Sequence, residues 1–91
     1  MAGIETIVVL TNRAGLHARP ARLLVQTAAQ FETTVQISNG EKTANARSII
    51  GVLKLGAVRG DMLTLSADGE DAETALQTLK DLILRKFDEE E

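Results

Sequence analysis

The sequence has 91 residues, a length that suits one small domain with one core, so a single domain over residues 1–91 is expected. It contains no cysteine and one histidine, which excludes a disulfide framework and a thiolate metal site and argues against a structural metal. No apolar run reaches the length of a membrane span, and the N-terminus lacks the pattern of a signal peptide, so no direct membrane insertion is expected.

Charge is unevenly distributed along the sequence, although the net charge is only −3. Nine of the thirteen acidic residues lie from Asp68 onward, whereas seven of the ten basic residues lie between Arg13 and Arg59. Because the basic half also carries the histidine, this distribution favours an acidic protein partner. It does not favour nucleic acid, because the chain has few aromatic residues to stack on bases and no dense Lys/Arg cluster.

The first predicted elements are a strand and a helix separated by a short loop. Residues 4–10 are rich in β-branched side chains, which favour a strand. Residues 11–16 contain Gly15 and are predicted to form the loop. Residues 18–31 place apolar side chains at three- and four-residue intervals, which predicts a helix with one buried stripe.

The histidine, His17, lies where this loop becomes the helix. Pro20 suits the first helical turn, because its missing N–H would have no partner there. Neither His17 nor Ala18 is a favoured N-cap residue, so free N–H groups and the positive end of the helix dipole are left for an anion. Arg19 can add charge-assisted hydrogen bonds to phosphate. The pattern indicates a site where a phosphoryl group is held on His17; the alternative is that His17 is only a polar loop or capping residue.

The central part of the chain is predicted to hold a β-hairpin followed by a short helix. Residues 33–38 alternate around two β-branched apolar side chains, an Asn-Gly pair gives a strong hairpin signal, and residues 41–46 form the return strand. Ser48 is a favourable N-cap residue and Gly56 a favourable terminator, which predicts a short helix between them.

The last part of the chain is predicted to be a strand and a longer helix. Residues 62–67 are predicted to form a strand with Leu63 and Leu65 on one face. Asp71 is expected to cap a helix that runs to about Phe87, and the acidic residues 88–91 are expected to fray. The spacing of its apolar residues predicts the buried stripe of this helix: Ala72, Ala75, Leu76, Leu79, Leu82 and Ile83.

The resulting order, βα-ββα-βα, predicts an α+β open-faced sandwich with the helices on one side of a four-stranded sheet. Two stretches then resemble a known family. Residues 15–21, Gly-Leu-His-Ala-Arg-Pro-Ala, resemble the active-site motif of HPr, the histidine phosphocarrier family of the bacterial phosphoenolpyruvate-dependent sugar phosphotransferase system. Residues 48–56, Ser-Ile-Ile-Gly-Val-Leu-Lys-Leu-Gly, resemble a second segment of that family. The resemblance covers essentially the whole chain and implies an antiparallel sheet in the order 1-4-2-3, with two larger helices and one short helix on one face.

The resemblance also implies a function and partners. His17 would accept a phosphoryl group on Nδ1 from phospho-enzyme I and pass it to enzyme IIA domains in sugar uptake, and Arg19 matches the family's active-site arginine. The protein would be a cytoplasmic phosphotransfer intermediate without cofactor or metal, rather than a stand-alone enzyme. A neutral imidazole is a good nucleophile near neutral pH, and no Walker loop or second catalytic base is present, so the chain is not expected to make or hydrolyse ATP itself.

Ser48 has two interpretations that do not exclude each other. As an N-cap residue it would stabilise the short helix by about 1 kcal/mol. By resemblance it matches the serine that HPr kinase/phosphorylase modifies in many bacteria, which would add regulatory phosphorylation and a further partner.

The short helix carries more apolar residues than one face can bury. By resemblance, some of them form a docking patch beside His17 with a basic rim. The predicted partner-binding residues are Arg22, Arg47, Ile49, Ile50, Leu53 and Lys54. Spacing alone does not decide which apolar residues face outward, and Arg22 and Arg47 are equally well explained as solvated surface charges.

Two alternative functions keep the same fold. The first is a paralogue that serves a nitrogen-related or regulatory phosphotransfer branch. The second is a non-catalytic interaction domain, against which His17 argues, because a purely regulatory homologue need not keep a phosphoryl acceptor.

Overall fold

The computed structural model describes residues 3–89, which contain four strands and three helices. In chain order they are β1 (Ile4–Val9), α1 (Ala18–Ala28), β2 (Val35–Asn39), β3 (Lys42–Asn45), α2 (Ile49–Lys54), β4 (Met62–Ala67) and α3 (Ala72–Leu84), with a 3₁₀ turn at Lys86–Asp88. This is the predicted order of elements, and the predicted α+β class is confirmed.

The sheet has the strand order β1-β4-β2-β3, and every neighbouring pair is antiparallel, so the predicted topology is confirmed. β4 lies between β1 and β2 and supplies two fully buried side chains, Leu63 and Leu65. Leu65 pairs with Ile37 of β2, which is also fully buried. Strand alternation therefore directs one face of the sheet into the core and leaves the other face open.

Helix α3 packs its predicted stripe against the sheet. All six residues of that stripe are buried, as the 3.6-residue period predicted. The prediction for α1 was less exact: the helix ends at Ala28 rather than at residue 31. The N–H groups of Gln30 and Phe31 donate to carbonyls three residues back, so the chain tightens out of the α-helix at this point.

The C-terminal helix also ends earlier than predicted, at Leu84 rather than Phe87. Lys86, Phe87 and Asp88 all have positive φ, between 56° and 58°, so the backbone after α3 is in the left-handed region. Phe87 is nevertheless fully buried. Burial of one aromatic side chain contributes roughly 2 kcal/mol, which offsets part of the cost of the left-handed backbone.

Asp71 occupies the N-cap position of α3. The prediction that its side chain caps the helix is wrong, because the carboxylate makes no capping hydrogen bond. Its carboxylate instead accepts hydrogen bonds from the backbone N–H groups of Glu32 (3.0 Å) and Thr33 (3.1 Å). The Thr33 hydroxyl, together with these N–H groups, holds the pKa of Asp71 below its ordinary value. The carboxylate thus ties the segment after α1 to the start of α3.

Candidate functional site

His17 is an exposed residue at the N-cap position of α1. Its backbone is extended, with φ −132° and ψ 152°, and its imidazole makes no capping hydrogen bond to the helix. The N–H groups of the first turn, at Ala18 and Arg19, are therefore not covered by this side chain. They lie at the positive end of the helix dipole, which is a favourable position for an anion beside the imidazole.

The loop before His17 is held against the segment that follows α2. Leu16 is buried, and its N–H donates to the Ala57 carbonyl at 3.0 Å. Gly15 has a φ of +66°, and a Cβ there would lie 2.6 Å from the Ala57 oxygen and 2.9 Å from the Val58 Cα. Only glycine allows this approach, which gives the glycine of the predicted turn a second role: it lets the His17 loop contact the end of α2.

The residue after His17 also has an unusual backbone. Ala18 has a φ of 42°, in the left-handed region that residues with a Cβ rarely adopt. This conformation costs about 1 kcal/mol, and the surrounding contacts must offset it. Leu16 and Pro20 are both buried on either side, so the chain is anchored before and after the exposed imidazole.

Arg19 contacts the C-terminal segment of the chain. Its Nη1 donates to the Phe87 carbonyl at 3.1 Å and lies 4.0 Å from a carboxylate oxygen of Glu89. The side chain is 54% exposed, so the guanidinium remains accessible from solvent. It is close to His17 in sequence, as predicted, but the sequence did not indicate these partners.

Asn12 is a residue of the site that the sequence-based reasoning missed. It is fully buried, and its Nδ2 donates to the Gly15 carbonyl (3.0 Å) and to Glu89 Oε1 (3.0 Å). Its Oδ1 is buried and has no hydrogen-bond partner among the described residues. A polar residue two positions after the predicted strand and three positions before a turn glycine was the available signal. Glu89 offered none, because it belongs to an acidic run.

The predicted fraying of residues 88–91 is wrong for the two residues of that run that the structure describes. Asp88 pairs with Arg85 at 3.1 Å, and the Glu89 carboxylate binds Asn12. Residues 90 and 91 lie outside the described part of the chain.

Ser48 caps α2, as predicted. Its Oγ accepts a hydrogen bond from the Gly51 N–H at 3.0 Å, and the residue is exposed. The same hydroxyl is thus a structural cap and a surface-accessible group.

The structure answers which apolar residues of α2 face outward. Val52 is fully buried, whereas Ile49, Ile50 and Leu53 are 40%, 64% and 40% exposed. Lys54 follows them and is exposed. These three apolar side chains form one exposed strip on α2, whose C-terminal end adjoins the His17 loop through the Ala57–Leu16 hydrogen bond.

The two arginines predicted beside this strip lie at different ends of α1. Arg22 is exposed in the second turn of α1, close to the His17 end. Arg47 donates through Nη2 to the carbonyls of Phe31 and Glu32, which follow the other end of α1. Arg47 therefore has a structural task remote from His17, and its role in partner binding stays a prediction.

Within residues 3–89, no helix combines the length and the apolar composition needed to cross a membrane.

The chain is similar to known proteins over most of its length. Residues 4–85 match a family model described as the PTS HPr component phosphorylation site. The chain is 39% identical over 87 residues to the phosphocarrier protein HPr of Xylella fastidiosa, covering 96% of this chain and 98% of the relative.

Two further proteins have similar sequences or folds. The phosphocarrier protein NPr of Shewanella violacea is 40% identical over 89 residues, with 98% of each chain covered. The crystal structure of HPr from Thermoanaerobacter tengcongensis superposes with a TM-score of 0.93 at 44% identity, covering 97% of this chain and 99% of that one. With its exposed histidine at the start of α1 and its β1-β4-β2-β3 sheet, the chain belongs to the HPr phosphocarrier family of the phosphotransferase system.

Proposed function

We propose that this protein is a phosphocarrier that accepts a phosphoryl group on His17 from phospho-enzyme I and transfers it to enzyme IIA domains in sugar uptake. The observation that carries the proposal is the placement of His17, an exposed imidazole at the N-cap position of α1 that makes no capping hydrogen bond to the helix. A lone pair on the neutral ring attacks phosphorus; the Nδ1–P bond forms as the bond to the donor breaks, and the same exchange in reverse delivers the group onward.

The direct test is incubation with phosphoenolpyruvate and enzyme I, followed by intact mass and by acid treatment. One added phosphoryl group that is lost in acid and kept in alkali is the expected result. A chain that stays unmodified, or that gains an acid-stable phosphate, would contradict the proposal. Residues 1–91 are proposed to act as one domain in this reaction.

The partner surface that we propose is the exposed strip of α2, formed by Ile49, Ile50 and Leu53. Lys54 follows the strip on α2, and Arg22 is exposed near the His17 end of α1. With these positive charges, the proposed surface suits a partner with an apolar centre and an acidic rim. Arg47 is the least favoured member of the predicted set, because its guanidinium is already bound to two carbonyls.

A second candidate keeps the phosphoryl chemistry but changes the branch. The 40% identity to the NPr of Shewanella violacea is close to the 39% identity to the HPr of Xylella fastidiosa, which supports a nitrogen-related branch as this second candidate. Parallel transfer assays with enzyme I and enzyme IIA proteins of the two branches would separate the candidates, because the cognate pair should be phosphorylated faster.

Arg19 is proposed to stabilise the phosphoryl group during transfer. Replacing Arg19 with alanine is expected to slow transfer roughly 10- to 100-fold, the range set by one charged hydrogen bond. Lysine should restore only part of the rate, because it lacks the planar fork of the guanidinium. The measurement is quench-flow phosphorylation by enzyme I. Arg85→Ala, which removes the same charge elsewhere, is the control, and equal rates for both alanine variants would refute the role.

Ser48 is proposed as a regulatory phosphorylation site for HPr kinase/phosphorylase. A phosphate there adds between one and two negative charges beside the α2 strip and would repel an acidic partner. Replacing Ser48 with aspartate should therefore lower the rate of phosphorylation by enzyme I, roughly two- to tenfold at low salt, and the loss should shrink as salt is added.

The matched control for this substitution is Ser48→Asn. Asparagine and aspartate cap helices about equally well, so both variants should keep a native circular dichroism spectrum and differ in charge alone. If the asparagine variant is as slow as the aspartate variant, the loss comes from the cap or from packing, and the electrostatic explanation is wrong.

A further inference from the structure

Asn12 closes the loop that leads to His17 through both its backbone and its side chain. Its backbone carbonyl accepts a hydrogen bond from the Gly15 N–H at 3.2 Å, and its Nδ2 donates to the Gly15 carbonyl at 3.0 Å. Asn12 is fully buried, so bonds to solvent do not replace these two when they are lost. One side chain and its own backbone therefore hold both the N–H and the carbonyl of the turn glycine.

The peptide group between Gly15 and Leu16 is held at both of its polar ends. Its carbonyl accepts from Asn12 Nδ2, and its N–H donates to the Ala57 carbonyl at 3.0 Å. Because a peptide group is planar, hydrogen bonds on its two opposite sides fix its orientation. This peptide group comes one residue before His17, so its orientation sets the direction in which the chain enters the exposed residue.

The side-chain amide of Asn12 has one orientation that suits its surroundings. Its Nδ2 faces two acceptors, the Gly15 carbonyl and Glu89 Oε1, each at 3.0 Å. Turned by half a revolution, the amide would present Oδ1 to both acceptors and lose both hydrogen bonds. In the observed orientation Oδ1 is buried without a hydrogen-bond partner among the described residues, which costs stability. An apolar side chain would avoid that cost, so the donor on Nδ2 is what this position supplies.

The backbone directly after His17 depends on this anchor. Ala18 has a φ of 42°, a conformation that persists only where the surrounding structure holds it. Pro20, which is buried, anchors the chain on the helix side, and the Gly15–Leu16 peptide group anchors it on the loop side. Loss of the loop-side anchor would let Ala18 relax toward an ordinary φ and would move the imidazole that lies between the two anchors.

We propose that Asn12 is a positioning residue for phosphoryl transfer: through the Gly15–Leu16 peptide group it fixes the place of the His17 imidazole relative to the α2 strip. This inference rests on the proposed function and extends it to a residue outside the predicted site. Asn12 acts through the loop and not on the phosphoryl group itself, because it is fully buried. Loss of its donor should slow transfer within the docked complex and leave docking unchanged, since the α2 strip is not altered.

The test is single-turnover phosphorylation by phospho-enzyme I in a quench-flow instrument, with the concentration of this protein varied. Asn12→Leu is the main variant, because leucine has a similar branched shape and removes both the donor and the unpartnered Oδ1. The maximum rate is expected to fall roughly 10- to 100-fold, the effect of displacing a reacting group by about 1 Å. The half-saturating concentration should stay within about twofold of the wild-type value, because docking is retained.

A second variant and a control separate positioning from loss of stability. Asn12→Ala removes the same donor without adding bulk and should lower the maximum rate in the same way. Ile37→Val trims a fully buried side chain of β2, so it should lower stability but keep the wild-type rate per folded molecule. Thermal unfolding followed by circular dichroism gives the folded fraction. A wild-type maximum rate in both folded Asn12 variants would overturn the proposal, as would a loss confined to the half-saturating concentration, which would assign Asn12 to docking.

Hydrogen exchange of the Leu16 amide tests the anchor without any phosphoryl transfer. The bond from Leu16 to Ala57 should open more often in both Asn12 variants, so exchange should accelerate roughly fivefold or more relative to the amides of β4, the effect of about one hydrogen bond. Unchanged or merely equal acceleration would contradict the proposal. If enzyme I does not label the wild type, the proposed function is wrong, and the exchange of Leu16 then decides by itself whether Asn12 holds the loop.

Discussion

Replacing His17 with alanine is expected to abolish uptake of a phosphoryl group from phosphoenolpyruvate and enzyme I. His17 is the one histidine of the sequence, so no second imidazole can accept the group. The fold should persist, because the residue is exposed and its side chain makes no capping bond to α1, and a change in unfolding free energy within about 0.5 kcal/mol is expected.

Intact mass after incubation measures the uptake, and thermal unfolding followed by circular dichroism measures the fold. His17→Gln serves as a second variant of similar length that lacks a nucleophilic ring nitrogen, and it should be equally inert. Acid-labile labelling of either folded variant would place the acceptor on another residue and overturn the assignment of His17.

Replacing Gly15 with alanine is expected to lower the unfolding free energy by about 2 to 5 kcal/mol, through backbone strain combined with steric overlap. The strain arises because the residue has a φ of +66°, and the overlap because the new Cβ would meet the backbone of Ala57 at 2.6 Å and Val58 at 2.9 Å. Backbone atoms cannot rotate away as a side chain would, so the His17 loop must shift from the end of α2. Phosphorylation of His17 should slow in the remaining folded protein.

A matched variant separates the two causes. Gly56 has a similar φ of +59°, and a Cβ there would have nothing within 4 Å. Gly56→Ala should therefore cost about 1 kcal/mol, the strain alone. Urea unfolding followed by circular dichroism is the measurement, since the chain has no tryptophan or tyrosine to report by fluorescence. Equal losses for the two variants would show that the close approach at Gly15 is relieved without cost.

The sequence predicted the buried faces correctly in those elements whose apolar residues recur with the period of a helix or a strand. The six buried residues of α3 and the buried pair Leu63 and Leu65 of β4 followed from spacing, because each element must direct one face to the core. Helix ends were less accurate, by three residues in α1 and in α3. At both ends the spacing of apolar residues continues although the backbone has left the helix. Phe31 still packs against the core, and Phe87 is fully buried in it.

The candidate site also has a part that the sequence predicted and a part that it did not. Its local part, His17 after a turn and before Pro20, is contiguous in sequence and was predicted together with Arg19. Its distant part was not predicted, because the contact of Asn12 with Glu89 joins residues 77 positions apart. No periodicity or propensity encodes such a pair. The cap at Ser48 was predicted correctly, because its hydrogen bond joins residues only three positions apart. Asp71 instead accepts hydrogen bonds from residues 38 and 39 positions away and not from its own helix.

By itself the sequence determined the order of elements, the buried faces of β4 and α3, and the placement of His17 between a turn glycine and a helix, because each depends on neighbours within one or two turns of chain. Only the tertiary structure decided what surrounds His17: the contact of Gly15 with Ala57, the outward direction of Ile50, and the hydrogen bond from Arg19 to the Phe87 carbonyl. The reason is that a polar group satisfies its hydrogen bonds with whichever partner the folded chain brings within reach, and that partner is set by packing of the whole chain and not by local sequence.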